Sequence, residues 1–326
     1  MTHALSGSAY SSPAKQPFVA VPSHNHARFI QRCLRSILNQ SLKPSALLVI
    51  DDGSTDDSAK LIEETLLDCS FPCELVVQPN RGLSATLNHA LKRSHGDYFA
   101  YLGSDDLWLT PFLEARIATL EERPGAVLAY GNAFSIDGSD RVIDCTTDWA
   151  TYVDGDVRQM LMTTLAPLSP TVVYRRHALE RYGWNEKSKL EDYELYLRLS
   201  GDGDFAFSEE VLSAWRIHGQ NASLNVSMMM HEKLEAQRRV GPHLGFTPDE
   251  IKKFQSLTMF RTAQEYMRRS EKTAAMRLMF RHLDGMNSWT EGARMIAGLA
   301  APRSLLQWHK SRRQTKAARQ YGSIAI

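Results

Sequence analysis

Leu47-Leu48-Val49-Ile50-Asp51-Asp52-Gly53-Ser54-Thr55-Asp56 is the stretch that decides the fold. Four apolar residues in a row read as a strand buried on both faces. The run stops at two carboxylates and a glycine. Ser54 to Asp57 then give a capping start to a helix through about Leu67. The unit recurs on both sides. Phe18-Val19-Ala20-Val21 is a buried strand stopped by Pro22, and Phe29, Ile30, Leu34, Ile37 and Leu38 fall at helical spacing within Ala27 to Gln40. Glu74 to Val77 is a third strand, followed by a helix over Ser84 to Lys92. Tyr98 to Leu102 is a fourth, ending at Gly103-Ser104-Asp105-Asp106. Pro111 opens a helix to Glu122, and Ala126 to Tyr130 is a fifth strand. After Gly131 the pattern loosens to a strand at Thr171 to Tyr174 and a helix over Glu191 to Ser200. From Met228 the reading is helical almost throughout.

This alternation predicts a mostly parallel α/β sheet with helices on both faces. In such sheets ligands bind outside the carboxyl ends of the strands. The loops Ser23-His24-Asn25, Asp51-Asp52-Gly53 and Ser104-Asp105-Asp106 should therefore share one crevice. Three parts are expected: a disordered leader at 1–16, an α/β domain at 17–227 and a helical extension at 228–326.

The chain has 326 residues, 43% hydrophobic and 23% charged, the profile of a globular protein. Its net charge of +1 hides an asymmetry: residues 228–326 carry 18 Lys and Arg against 8 Asp and Glu, and the rest carries 20 against 29. An acidic front suits a domain that gathers carboxylates around a cation. A basic tail suits an anionic partner or is simply a solvated helical face. Beyond Gly285, basic residues from Arg294 to Arg319 alternate with Met295, Ile296, Leu299, Leu305, Leu306 and Trp308. That mixture fits a helix lying on an anionic membrane surface, with a dimer interface as the alternative. Four scattered cysteines (Cys33, Cys69, Cys73, Cys145) point to a reducing compartment. Residues 1–16 lack the apolar core of a signal peptide, and Met295 to Ala301 is too short to span a bilayer. A cytoplasmic protein is expected, peripheral at the inner membrane face, with no nucleic-acid partner. Asn221-Ala222-Ser223 and Asn225-Val226-Ser227 fit the N-glycosylation pattern but carry no weight in that setting.

Three clusters carry chemistry. Mg²⁺ and Mn²⁺ are held by a few carboxylates with phosphate oxygens and waters, which suits Ser104-Asp105-Asp106 at a strand end. Most Asp-Asp pairs are turn formers or caps, and position is what sets this one apart. A carboxylate at Asp52 can accept from a ribose hydroxyl or base N–H, beside a tight turn at Gly53. Glu191-Asp192 opens a helix, where acids ordinarily meet the macrodipole; the functional alternative is a general base for an acceptor hydroxyl. Arg198 orders that helix or holds a phosphate. His218 is an imidazole ligand to the same metal or a satisfied polar residue.

The order Val-Pro-Ser-His-Asn, Val-Ile-Asp-Asp-Gly-Ser-Thr-Asp, Gly82-Leu83-Ser84-Ala85-Thr86-Leu87-Asn88, Ser104-Asp105-Asp106 and Leu190-Glu191-Asp192-Tyr193-Glu194-Leu195 resembles glycosyltransferase family 2, over about Pro17 to Ser223. The resemblance implies the GT-A fold, a Rossmann-like sheet, here with a helical C-terminal extension. It implies an inverting transfer of sugar from a nucleotide-diphosphate sugar, UDP by family frequency, to an acceptor hydroxyl in cell-surface polysaccharide or glycolipid synthesis. A saccharide or lipid-linked acceptor and Mn²⁺ or Mg²⁺ go with it. Pro22, Ser23, Asn25, Asp52, Asn80, Gly82 and Asn88 match nucleotide-contacting positions. Ser104, Asp105 and Asp106 match the metal-and-diphosphate motif, with Asp106 the more direct ligand. Asp192 matches the catalytic base with Glu191 beside it. Arg216 and His218 resemble an Arg-x-His segment near the diphosphate or metal.

His24 departs from the aromatic that relatives often carry. Membrane spans and a Gln-x-x-Arg-Trp element are missing, which argues against a processive synthase. A nucleotidyltransferase needs a Gly-rich, Arg-containing loop after the first strand, and a nicotinamide oxidoreductase needs Gly-x-Gly-x-x-Gly; neither is present. A non-catalytic nucleotide-sugar or carbohydrate-binding scaffold of the same fold is the remaining alternative.

Overall fold

A computed structural model of the chain describes residues 15–219, 221, 224–286 and 288–324. The leader expected at 1–16 and the Asn221-Ala222-Ser223 motif therefore lie largely outside the described residues. The strands are β1 (Phe18–Ser23), β2 (Ala46–Asp51), β3 (Cys73–Val77), β4 (Tyr98–Tyr101), β5 (Leu107–Trp108), β6 (Ala126–Ile136), β7 (Val142–Cys145), β8 (Val173–Arg175) and β9 (Asp204–Arg216). The helices of the α/β part are α1 (Ile30–Leu38), α2 (Ser58–Leu66), α3 (Leu83–Arg93), α4 (Phe112–Glu122), α5 (Arg158–Met162), α6 (Arg176–Tyr182) and α7 (Glu191–Leu199). The tail holds α8 (Val226–Val240), α9 (Pro248–Arg268), α10 (Lys272–Arg281), α11 (Trp289–Ala300) and α12 (Arg303–Tyr321).

These strands form one sheet in the order β3-β2-β1-β4-β8-β6-β9-β5, with β7 added beside β6. Its β3-β2-β1-β4 half is parallel, as the strand–helix alternation requires. In the other half β8 runs antiparallel to both neighbours, β5 is antiparallel to β9, and β7 is antiparallel to β6. The sheet is thus more mixed than the alternation predicts, because β5, β7 and β8 are short returns and not links in a helical crossover.

Period-two packing divides the core. Phe18, Ala20, Leu48 and Ile50 face one side with Leu87 of α3 and Leu195 of α7. Val19, Val21, Leu47 and Val49 face the other with Ile30, Leu34 and Ile37 of α1 and Phe112 of α4. Burial on both faces explains why β1 and β2 read as continuous apolar runs.

The helical tail does not stand apart. α8 begins at Val226, so the expected 227/228 boundary falls in its first turn. It packs on α7, where Gln237 Nε2 donates to Tyr193 Oη at 3.2 Å and Arg239 pairs with buried Glu194 at 2.6 Å. A capping box at Thr247 and Glu250 starts α9. Phe260, Met267, Met279 and Met295 then build a second small core across α9, α10 and α11.

Cys69 and Cys73, read above as separate thiols, are joined in a disulfide across the turn between α2 and β3; Cys33 and Cys145 are buried and free. Four residues of spacing bring the two sulfurs across one turn, so the cysteines lose their force as an argument for a reducing compartment. Among the described residues, no helix is long and apolar enough to cross a membrane.

Candidate active site

β1 lies between β2 and β4, with both connections running to opposite sides, so its carboxyl end is the switch point where such sheets bind ligands. The loop after β1 is fixed by small polar bonds. Asn25 takes a left-handed backbone, φ 54°. Its side chain accepts from the Thr55 N–H at 2.7 Å, while its own N–H donates to Ser54 Oγ at 2.9 Å. The loops after β1 and β2 therefore hold one another.

Asp52 is buried, and its carboxylate is the hub that joins the turn after β2 to the segment after β3. Oδ1 accepts from Gln78 Nε2 at 2.8 Å and from the Arg81 N–H at 2.9 Å; Oδ2 accepts from the Gly82 N–H at 2.8 Å. Burial raises its pKa, but these donors outweigh it and hold the carboxyl below its ordinary value. Gly53, at φ +75°, lies so close to Asn80 that a Cβ would stand 2.8 Å from the Asn80 nitrogen. His24 and Asn80 meet above this turn, with Asn80 Nδ2 3.3 Å from His24 Nδ1. Pro22 and Ser23 end β1, and among the described residues neither the buried Ser23 Oγ nor Asp51 Oδ2, opposite it in register, has a hydrogen-bond partner. Unpaired buried polar atoms at a strand end suit a polar ligand.

The loop after β4 makes the second group. His26 Nδ1 lies 2.8 Å from Ser104 Oγ and 3.9 Å from Asp105 Oδ1. His218, just past β9, places Nε2 2.8 Å from Asp105 Oδ2. One ligand atom from each of His26, Asp105 and His218 falls within 4.8 Å of the others. Burial holds the His26 imidazole below its ordinary pKa, against the Asp105 charge, so the ring stays a neutral donor. Asp106 lies outside that trio. It is buried, and its Oδ1 accepts from the Arg216 N–H at 2.8 Å. Burial and the Asp105 charge push its carboxyl well up.

Arg216, expected near diphosphate or metal, is a fully buried clamp. Nε donates to the Asp105 carbonyl at 2.6 Å, Nη1 donates to the Asp137 carbonyl at 2.8 Å, and Nη2 pairs with Asp140 at 2.5 Å over the Phe29 ring. Its donors hold the loop from beneath. Asn88 is also engaged elsewhere: it exchanges two bonds of 2.8 Å with the Trp184 backbone and reaches Glu186 at 3.0 Å.

Glu191 and Asp192 open α7, where Leu190 provides no side-chain cap and the first-turn amides bond to the two carboxyls. Burial raises both carboxyls, that of Glu191 further because the Asp192 charge adds to it, while Lys233 on α8 opposes the rise at Asp192. Tyr101, the last residue of β4, feels both charges, and Ser169 lies against its buried hydroxyl; the buried Trp184 indole N–H beside it has no partner among the described residues. Arg198 pairs with Glu194 at 2.7 Å and orders the helix. Sequence reading missed His26, Gln78, Tyr101, Trp184 and Lys233. Of these, His26 alone had a signal, its place directly after the Ser23-His24-Asn25 loop assigned to the crevice.

The family model described as Glycosyl transferase family 2 matches residues 18–183, the segment that builds β1 to β8. The chain belongs to glycosyltransferase family 2. Among family relatives, Escherichia coli chondroitin synthase is 26% identical over 63% of this chain, a stretch that spans only 29% of that synthase. An uncharacterized glycosyltransferase of Nostoc sp. is 25% identical over 68% of this chain and 71% of its own length. Two solved structures share the GT-A fold. S. aureus TarS 1-349, in complex with UDP-GlcNAc, has a TM-score of 0.58 and 14% identity, covering 95% of this chain and 93% of that one. The mannosyltransferase PcManGT of Pyrobaculum calidifontis, in complex with GDP-Man and Mn²⁺, has a TM-score of 0.58 and 17% identity, covering 94% and 88%.

Proposed function

We propose that the protein is an inverting glycosyltransferase that moves a sugar from a nucleotide-diphosphate sugar, UDP-linked by family frequency, to the hydroxyl of a saccharide or lipid-linked acceptor in cell-surface polysaccharide or glycolipid synthesis. The observation that supports this reading is convergence: the loops after β1, β2, β4 and β9 bond to one another at one sheet edge, and β4 ends at Tyr101 beside Glu191 and Asp192. Solved relatives of this fold hold UDP-GlcNAc or GDP-Man.

Asp52, with Asn25, Asn80 and Gly82 around it, receives the nucleoside. Ser23 supplies an unpaired hydroxyl at the same edge. Asp105 and His218 are the donors for a divalent cation, Mn²⁺ or Mg²⁺, with Asp106 behind them. Such an ion supplies charge stabilisation for the departing diphosphate. Arg216 keeps the Asp105–Asp106 loop in place. Asp192 takes the proton of the attacking hydroxyl. A base works best with a pKa near the working pH, and burial moves the Asp192 carboxyl in that direction. Glu191, raised further by the same burial and by its neighbour, holds its proton longer and leaves Asp192 as the base.

The basic tail fits an anionic membrane surface. Trp289 (87% exposed), Ile296 and Trp308 stand in solvent on α11 and α12 among Arg294, Arg303 and Arg312.

Asp192→Asn tests the reaction. Transfer should fall by about 10²- to 10⁴-fold while binding of UDP, read by thermal shift, is kept. Wild-type transfer in that variant would refute the assignment.

A further inference from the structure

We propose that His26 completes the cation site, and that the resulting two-imidazole, one-carboxylate set selects a first-row transition ion such as Mn²⁺ over Mg²⁺. This rests on the cation-assisted reading given above and extends it to the ligand set and the ion.

The three residues come from distant parts of the chain: His26 after β1, Asp105 after β4 and His218 after β9. Their ligand atoms lie within 4.8 Å of one another. Donors at about 2.0–2.2 Å from an ion lie at most roughly 4.4 Å apart, so a spread within 4.8 Å is close to the span that one ion bridges. Asp105 already divides its carboxylate, with Oδ2 2.8 Å from His218 and Oδ1 3.9 Å from His26. The two imidazoles stand nearly perpendicular, 84° with centroids 5.5 Å apart, so neither stacks on the other. Phe29 backs both rings, at 6.2 Å from His26 and 5.0 Å from His218. Ser104 Oγ lies 2.8 Å from His26 Nδ1, the same nitrogen that faces Asp105, so a ring that keeps this bond offers Nε2 to the ion. Asp106 lies outside this set, with its Oδ1 held by the Arg216 N–H.

Ion preference follows from the donors. Mg²⁺ favours oxygen ligands and keeps its waters, whereas imidazole nitrogen favours first-row transition ions. Two imidazoles out of three protein ligands therefore shift the balance toward Mn²⁺.

The test is direct ion binding to the full chain, with Mn²⁺ and Mg²⁺ each titrated by calorimetry and free Mn²⁺ followed by electron paramagnetic resonance. Wild-type protein should bind Mn²⁺ at least about tenfold tighter than Mg²⁺. His26→Gln should weaken Mn²⁺ by about tenfold or more. His26→Asp replaces nitrogen by oxygen and should narrow the Mn²⁺-to-Mg²⁺ ratio while keeping an ion bound. Thermal unfolding of both variants in chelator checks that they fold. A purely structural His26, bonded only to Ser104, leaves the ratio untouched. Equal affinity for the two ions, or wild-type Mn²⁺ binding in His26→Gln, would overturn the proposal. Mn²⁺ bound through His26 without transfer from any nucleotide sugar would count against the reaction and for this ligand set. Transfer at full rate in chelator would count against the set and leave Asp192 as base.

Discussion

The backbone N–H of Arg216 donates to Asp106 Oδ1 at 2.8 Å while its side chain donates to the Asp105 carbonyl at 2.6 Å, so one residue at the end of β9 grips both acids of the β4 loop. Arg216→Met removes the side-chain half of that grip and leaves Asp140 paired with Arg32 alone, at 2.8 Å. Because Asp140 keeps that partner, the cost stays below the roughly 3–5 kcal/mol of stranding a buried charge. Urea unfolding should register the loss. Mn²⁺ affinity should fall with it, because Asp105 is no longer held. Unchanged stability would mean that the clamp is ornamental.

Activity should depend on pH through Asp192. Burial raises its carboxyl to about 6, and a base must be ionised to act. The kcat/KM profile should therefore fall on the acid side, tenfold per pH unit well below that value. The residual rate of Asp192→Asn should lack this limb.

For stability the sign is reversed. A carboxyl with a folded pKa above its unfolded one is better protonated when folded, so Glu191 and Asp192 weaken the fold as pH rises from about 4 through their folded values. Asp192→Asn should raise the Tm more at pH 8 than at pH 4. An equal gain at both would remove burial as the cause.

Gly53→Ala meets two penalties. Its φ of +75° costs a side chain about 1–2 kcal/mol, and the new Cβ would sit 2.8 Å from the Asn80 nitrogen. Gly245→Ala, at φ +86° with nothing within 4 Å, meets only the first. Gly53→Ala should therefore cost more stability and, unlike its control, weaken UDP binding several-fold. Matching effects of the two would show that close approach to Asn80 is unimportant.

Flotation with phosphatidylglycerol-containing vesicles, against pure phosphatidylcholine, checks the tail. Trp289→Ala with Trp308→Ala should abolish binding to the anionic vesicles. A concentration-dependent dimer lost in the same double variant, with no flotation, would instead place a second copy on this surface.

Much of the parallel half was legible because β1, β2 and β4 are local apolar runs that end in polar residues. β9 was not. Ser208-Glu209-Glu210 interrupts its pattern, and the register shifts opposite Gly131 and Asn132. β5 has two residues, too few for any periodicity. The acids at 52, 105, 106 and 192 were visible as strand-end and helix-start features. How they are held was not, since Arg216 takes Asp106 from below and His26 comes near Asp105 from another loop. The bonds of the Asn88 side chain to the turn at Trp184 were likewise not legible, since that turn lies almost a hundred residues on.

The polypeptide beyond α12 folds back on the turn after β6. The Ile324 N–H donates to the Asp140 carbonyl at 3.1 Å, Arg32 reaches the Ile324 carbonyl at 3.3 Å, and Val142 donates to Gly322. Asp140 in turn faces Arg216. The end of the tail is thus tied, through Asp140, to the arginine that holds the Asp105 carbonyl.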